Sequence, residues 1–200
     1  MKTSLGIFTA LRRSFYPSLF LLPSVAQAHP GHVAATGLAG GFAHPLSGLD
    51  HVCAMVAIGL WAAQVGGRAL WAVPLAFVSL MTFGAVAGMS GHVMPFAEQG
   101  IAASVLILGI LITAARRLPL AAAIGLIGFF ALFHGYAHGA EMPATASGFA
   151  SVTGFLAATI GLHLLGIGLG LTARRLTAEK PLRFAGILIA GCGLYLVLVA

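Results

Sequence analysis

What this chain has least of is charge. Only 7% of its 200 residues are Asp, Glu, Lys or Arg, against about a quarter in soluble domains. Meanwhile 60% are apolar and the mean hydropathy is +1.03. Lysine occurs only as Lys2 and Lys180, and neither follows a glycine-rich loop. A phosphate-binding loop of the ATPase kind is therefore excluded, and no ATPase domain is expected in this chain. Cys53 and Cys192 both lie in apolar stretches with no CxxC spacing, which excludes a disulfide framework and a cysteine-rich zinc site. Both are expected to pack as small hydrophobes. The formal net charge of +6 does not imply nucleic acid, because the basic residues sit in short loops rather than on one face.

What is there is apolar length. Segments of roughly 20 residues cross a bilayer, so a chain of this size crosses about six times with little left for a soluble domain. The expectation is an all-α integral membrane protein of the bacterial inner membrane. Lys2, Arg12 and Arg13 precede an apolar stretch from Ser14 to Val25 and then Ala26-Gln27-Ala28, the pattern of a cleavable signal peptide over residues 1–28. Residues 29–200 then form a single six-helix transmembrane domain. Gly, Pro and Arg punctuation sets its spans at about 45–66, 70–89, 98–115, 119–139, 147–173 and 183–200. With His29 outside, the loops on the inner side hold Arg68, Arg116, Arg117, Arg174, Arg175, Lys180 and Arg183. That is every basic residue beyond the leader, and both mature termini are expected in the periplasm. Trp61, Trp71 and Phe96, near span ends, read as interface anchors.

Ionisable groups inside lipid are expensive, and here they cluster. His44-Pro45-Leu46-Ser47-Gly48-Leu49-Asp50-His51 opens the first span. On a continuous helix His44 and His51 lie two turns apart on one face, with Asp50 rotated about 100° from His51. Pro45 suits a helix start and Gly48 lets the backbone deform, so that His44 can fold back over the first turn. Two imidazoles and a carboxylate then converge. Imidazole suits Ni, Co, Cu and Zn, and the carboxylate neutralises a divalent ion in low dielectric. A carboxylate and histidine pair sealing the helix end is the alternative. Met55, one turn below His51, offers either a thioether or core packing.

Phe133-His134-Gly135-Tyr136-Ala137-His138-Gly139-Ala140-Glu141 closes the fourth span. His134 and His138 share a face at i, i+4, and Glu141 stays on it if the helix continues. HxxxH alone also suits a haem or a hydrogen-bonded core pair. The opposed directions of spans one and four place both clusters in the outer half of the membrane, facing each other.

These two motifs resemble those of the HupE/UreJ nickel and cobalt permeases: HPxxGxDH in the first span and FHGxAHGxE in the fourth, with every named position met. The resemblance implies six spans, often after a cleavable leader. It implies uptake of Ni²⁺, or of Co²⁺, across the inner membrane for hydrogenase, urease or cobalamin production, with the ion as cargo and no resident cofactor. It carries His44, Asp50, His51, His134, His138 and Glu141 over as metal-handling residues and leaves the choice of metal open.

Elsewhere the signals are weaker. His29 and His32 offer an α-amine and two imidazoles or a solvated tail. His92 and Glu98 flank an outer loop, as cation guides or ordinary loop residues. His163, some sixteen residues into the fifth span and roughly 24 Å by helical rise, belongs to the inner half, as a helix hydrogen-bonding residue or an exit ligand. A non-enzymatic secondary transporter leads. Two rivals stand beside it: a histidine-ligated haem subunit of a membrane oxidoreductase, and a metal-binding accessory protein that transports nothing.

Overall fold

Gly48, Gly66 and Pro119 stand at helix ends, while Pro45 and Pro74 lie inside helices. A computed structural model describes residues 37–142, 145–176 and 179–200, all within the unit Val33–Ala200. The expected leader, with His29 and His32, lies outside the described residues. Seven helices follow one another: α1 Leu38–Ser47, α2 Leu49–Val65, α3 Ala69–Met89, α4 Ala97–Thr113, α5 Leu120–Ala140, α6 Ala146–Arg175 and α7 Glu179–Val199. There is no strand among the described residues. Gly66 ends α2 with a φ of 78°, its N–H bonded to the Ala62 carbonyl, a conformation that glycine adopts without the cost a side chain would bring. Pro119 stands just before α5, and the Thr145 hydroxyl accepts from the Gly148 N–H at the start of α6.

Four helices, α3, α5, α6 and α7, are long and apolar enough to cross a bilayer, and α1 with α2 makes a fifth candidate as a broken pair. α4, at 17 residues, is shorter. Large apolar side chains such as Leu75, Phe83, Phe129, Leu188 and Leu198 are exposed on the outside of the bundle, a surface that lipid rather than water would cover. The chain is a multi-pass membrane protein.

The expected first span, 45–66, is not one helix. The chain bends by 86° between α1 and α2 at Gly48, whose backbone is extended (φ −97°, ψ 122°). At the break the Asp50 and His51 side chains lie close over Gly48. A Cβ on Gly48 would stand 2.6 Å from Asp50 Oδ1 and 3.1 Å from His51 Nδ1. α1 ends with the Ser47 hydroxyl donating to the His44 carbonyl.

The helices pair as α3 with α5, α4 with α7, and α6 with both α1 and α2. Without a hydrophobic drive inside lipid, close backbone approach matters most. Gly135 and Gly139 bring α5 against α3 so tightly that a Cβ on either would lie 2.0 Å from a carbonyl oxygen, of Met81 and Ala85 respectively. The histidines beside those glycines are thereby turned to the neighbouring face, into the bundle.

At the basic end, three hydrogen bonds tie the helices together. Trp61 Nε1 donates to the Arg116 carbonyl at 2.9 Å, Gln64 Nε2 to the Ile112 carbonyl at 3.1 Å, and an Arg174 guanidinium N–H to the Ala63 carbonyl at 2.8 Å. Trp61 is fully buried, which corrects its reading as an interface anchor: its indole N–H has a carbonyl partner inside the protein, so it need not seek the headgroups. Trp71 and Phe96 are exposed.

Candidate metal site

At the end opposite the basic turns, four imidazole rings meet. α1 brings His44 in its last turn, α2 brings Asp50 and His51 in its first, and α5 brings His134 and His138 in its last turns. Asp50 Oδ1 accepts from His51 Nδ1 at 2.9 Å. That fixes the tautomer of a neutral His51, with its Nε2 lone pair directed away from the carboxylate. His51 Nε2 meets His138 Nε2. The His44 and His138 rings lie edge to face with centroids 4.8 Å apart, and His51 and His134 likewise at 5.2 Å. Asp50 also sits in the first turn of α2, where the helix's positive end favours a carboxylate.

Glu141 completes the group. It follows the last residue of α5 in a still helical conformation (φ −86°, ψ −10°), so it stays on the His138 side. One ligand atom each from His44, His138 and Glu141 falls within a mutual 4.8 Å. Imidazole with carboxylate is a donor set for a borderline divalent ion, and His51 with its carboxylate stands directly against this triad.

His134 is fully buried. Ser104 of α4 donates to the Ile101 carbonyl at 2.6 Å, and its oxygen therefore accepts from His134 Nε2 at 2.9 Å. Nδ1 of His134 is left with a lone pair and no hydrogen-bond partner.

The structure thus brings together His44, Asp50, His51, His134, His138 and Glu141. His92 and Glu98 are exposed in and beside the turn between α3 and α4 and are not part of the triad. His163 is buried, but neither ring nitrogen makes a hydrogen bond. This corrects its reading as a helix hydrogen-bonding residue: its ring packs against Phe77, centroids 5.3 Å apart.

Sequence reasoning missed three neighbours. Ser104, as a hydroxyl inside an apolar run, carried a legible signal. Phe155, whose ring lies 4.2 Å from that of His138, and Phe77, 5.6 Å from that of His134, carried none among so many apolar residues.

Fold and site together define a multi-pass helical membrane protein with a histidine and carboxylate cluster between its helices. The chain matches the HupE / UreJ protein family over residues 18–196 and belongs to that family. It is similar to Protein HupE of Rhizobium leguminosarum bv. viciae, 45% identical over 172 residues, which covers 86% of this chain and 90% of that protein. No solved structure is significantly similar.

Proposed function

We propose that this protein is a secondary permease that carries Ni²⁺, or Co²⁺, inward across the bacterial inner membrane to supply a metalloenzyme such as hydrogenase or urease, or cobalamin. The observation that carries this is the triad of His44, His138 and Glu141, whose ligand atoms lie within 4.8 Å of one another, backed by a carboxylate-held His51. Membership of the HupE/UreJ family supports it. The ion is cargo. Asp50 and Glu141 offset its charge in low dielectric, and imidazoles hold it loosely enough to let it leave.

In this reading the leader is removed after Ala28 and α2 to α7 are the six crossings. α2 and α4, each of 17 residues, cross at the lower limit of spanning length. The basic turns face the cytoplasm and both ends of the mature chain face the periplasm. A reporter fused after Ala200 is expected to be active only in the periplasm.

The deciding experiment is Ni²⁺ uptake into proteoliposomes holding the purified full chain. Saturable uptake lost in His51→Ala is the expected result. Binding without uptake would support an accessory role instead, and a visible haem band in the purified protein an oxidoreductase one.

A further inference from the structure

Eight polar or charged side chains are buried among the described residues: His51, Gln64, Ser104, His134, His138, Ser151, Thr159 and His163. Six of them make at least one hydrogen bond, to Asp50, to one another or to a backbone carbonyl. The two exceptions are Thr159 and His163, whose hydroxyl and both ring nitrogens have no partner. They are also neighbours, four residues apart on one face of α6. Buried polar groups are nearly always satisfied, and an unsatisfied one calls for an explanation.

Their position supplies it. Phe155, Thr159 and His163 form a stripe at i, i+4, i+8 along α6. Its upper member touches the rings of His51 and His138, and its lower member touches Phe77, which also touches His134. His163 therefore lies one ring beyond the cluster. α2 gives the depth: a Cβ on Gly59 would stand 2.2 Å from the His163 carbonyl oxygen, and Gly59 is eight residues past His51, about 12 Å of helix toward the basic end.

We propose that Thr159 and His163 form a second, inner binding station for the divalent cation, reached from the cluster and leading toward the basic end. It rests on the transport reading. The imidazole supplies a nitrogen donor and the threonine an oxygen donor, both already stripped of competing partners. No carboxylate joins them: of the four acidic residues of the chain, Asp50 and Glu141 belong to the cluster above and Glu98 and Glu179 are exposed. A neutral station holds a divalent ion more weakly than the carboxylate-backed cluster, as onward release requires.

The test compares the full-length wild type, His163→Leu and Thr159→Val in one proteoliposome preparation, with Ni²⁺ alone as probe. We expect His163→Leu to lower uptake by about tenfold or more while Ni²⁺ binding at the cluster stays within about twofold of wild type. Thr159→Val is expected to act in the same direction and less. The thermal midpoint of His163→Leu is expected to hold or rise, since replacing an unsatisfied buried polar group by an apolar one of similar volume is neutral or stabilising. Leu164→Ile, on the exposed side of the same turn, is the control expected to transport normally.

Uptake by His163→Leu within about twofold of wild type overturns the station and leaves the transport reading intact. A wild type that takes up neither Ni²⁺ nor, offered in its place, Co²⁺ overturns the transport reading and the station with it. If His163→Leu fails to reach the membrane, His163→Gln is read by the same criteria. If neither accumulates, the ring is a fold determinant against Phe77 and the station is overturned.

Discussion

The two ends of the ring series are built differently. Near the α1–α2 break, each imidazole has company: His51 has Asp50, His138 has His51, and His134 has Ser104. Twelve or so ångströms deeper by helical rise, His163 has only the face or edge of Phe77. Partnered histidines are held in a set tautomer and orientation, as ligands of a bound ion are. An unpartnered one keeps its nitrogens open but is not aimed. The difference teaches that, of these two levels, the upper carries the carboxylates and the imidazole hydrogen bonds and the lower is neutral.

The largest effect expected at the partnered level comes from its carboxylate. Asp50→Asn keeps shape and removes charge, so it is expected to reduce Ni²⁺ uptake toward the upper end of the about 10–100-fold range seen when a ligand's supporting partner is lost. Protein in the membrane, checked by immunoblot, should be unchanged. Full uptake by this variant would show that the His51–Asp50 pair merely seals a helix end.

Next in size is a coupling. His51→Ala and His138→Ala are each expected to cost about tenfold in Ni²⁺ affinity by equilibrium dialysis, and the double variant no more than the worse single, because two groups on one ion do not lose independently. Strict additivity would split the cluster into separate sites.

Smaller again is Gly48→Ala. The added methyl would press on the flexible tip of Asp50 at 2.6 Å, so the fold should survive while the carboxylate is displaced from His51. A loss of uptake of about fivefold, with a thermal midpoint within a few degrees of wild type, is the expected outcome. An unchanged uptake would mean that the Asp50 position seen here is not required.

The smallest change is expected from Met55→Leu. Met55 is fully buried one turn below His51, and a volume-conserving swap there should leave uptake within about twofold. A severe loss would bring sulfur into the ligand set and favour a softer metal such as Cu(I).

Much of this is legible in the sequence. Continuous apolar runs of about 20 residues with 7% charge point to an all-helical membrane fold, since a barrel strand is about half as long and alternates in polarity, and the two histidine motifs point to their own convergence. The break at Gly48 was not legible as an 86° bend. Pro45 and Gly48 announce a deformable backbone, but the bend accompanies tertiary contacts, Asp50 close over Gly48 and α1 packed against α6, which no local pattern encodes. Ser104 could have been singled out as a hydroxyl in an apolar run. Phe77 and Phe155 could not, because an aromatic against a site and one in a core look alike in sequence. Trp61 misled for a related reason: distance from a span end says nothing about whether a carbonyl inside the protein waits for its N–H.

That indole gives the protein a spectroscopic property of its own. The chain has two tryptophans, one fully buried and one 58% exposed, so Trp71→Phe leaves a single tryptophan, whose emission is selected by exciting at the red edge where tyrosine does not absorb. Its N–H is bound to the Arg116 carbonyl, joining α2 to the turn that precedes α5, and it lies ten residues along α2 from His51, about 15 Å by helical rise. Its emission wavelength is thus a label-free gauge of whether the basic end loosens when Ni²⁺ occupies the opposite one. A red shift on adding metal would report water or motion reaching Trp61, while a constant spectrum would report that the ends are mechanically independent.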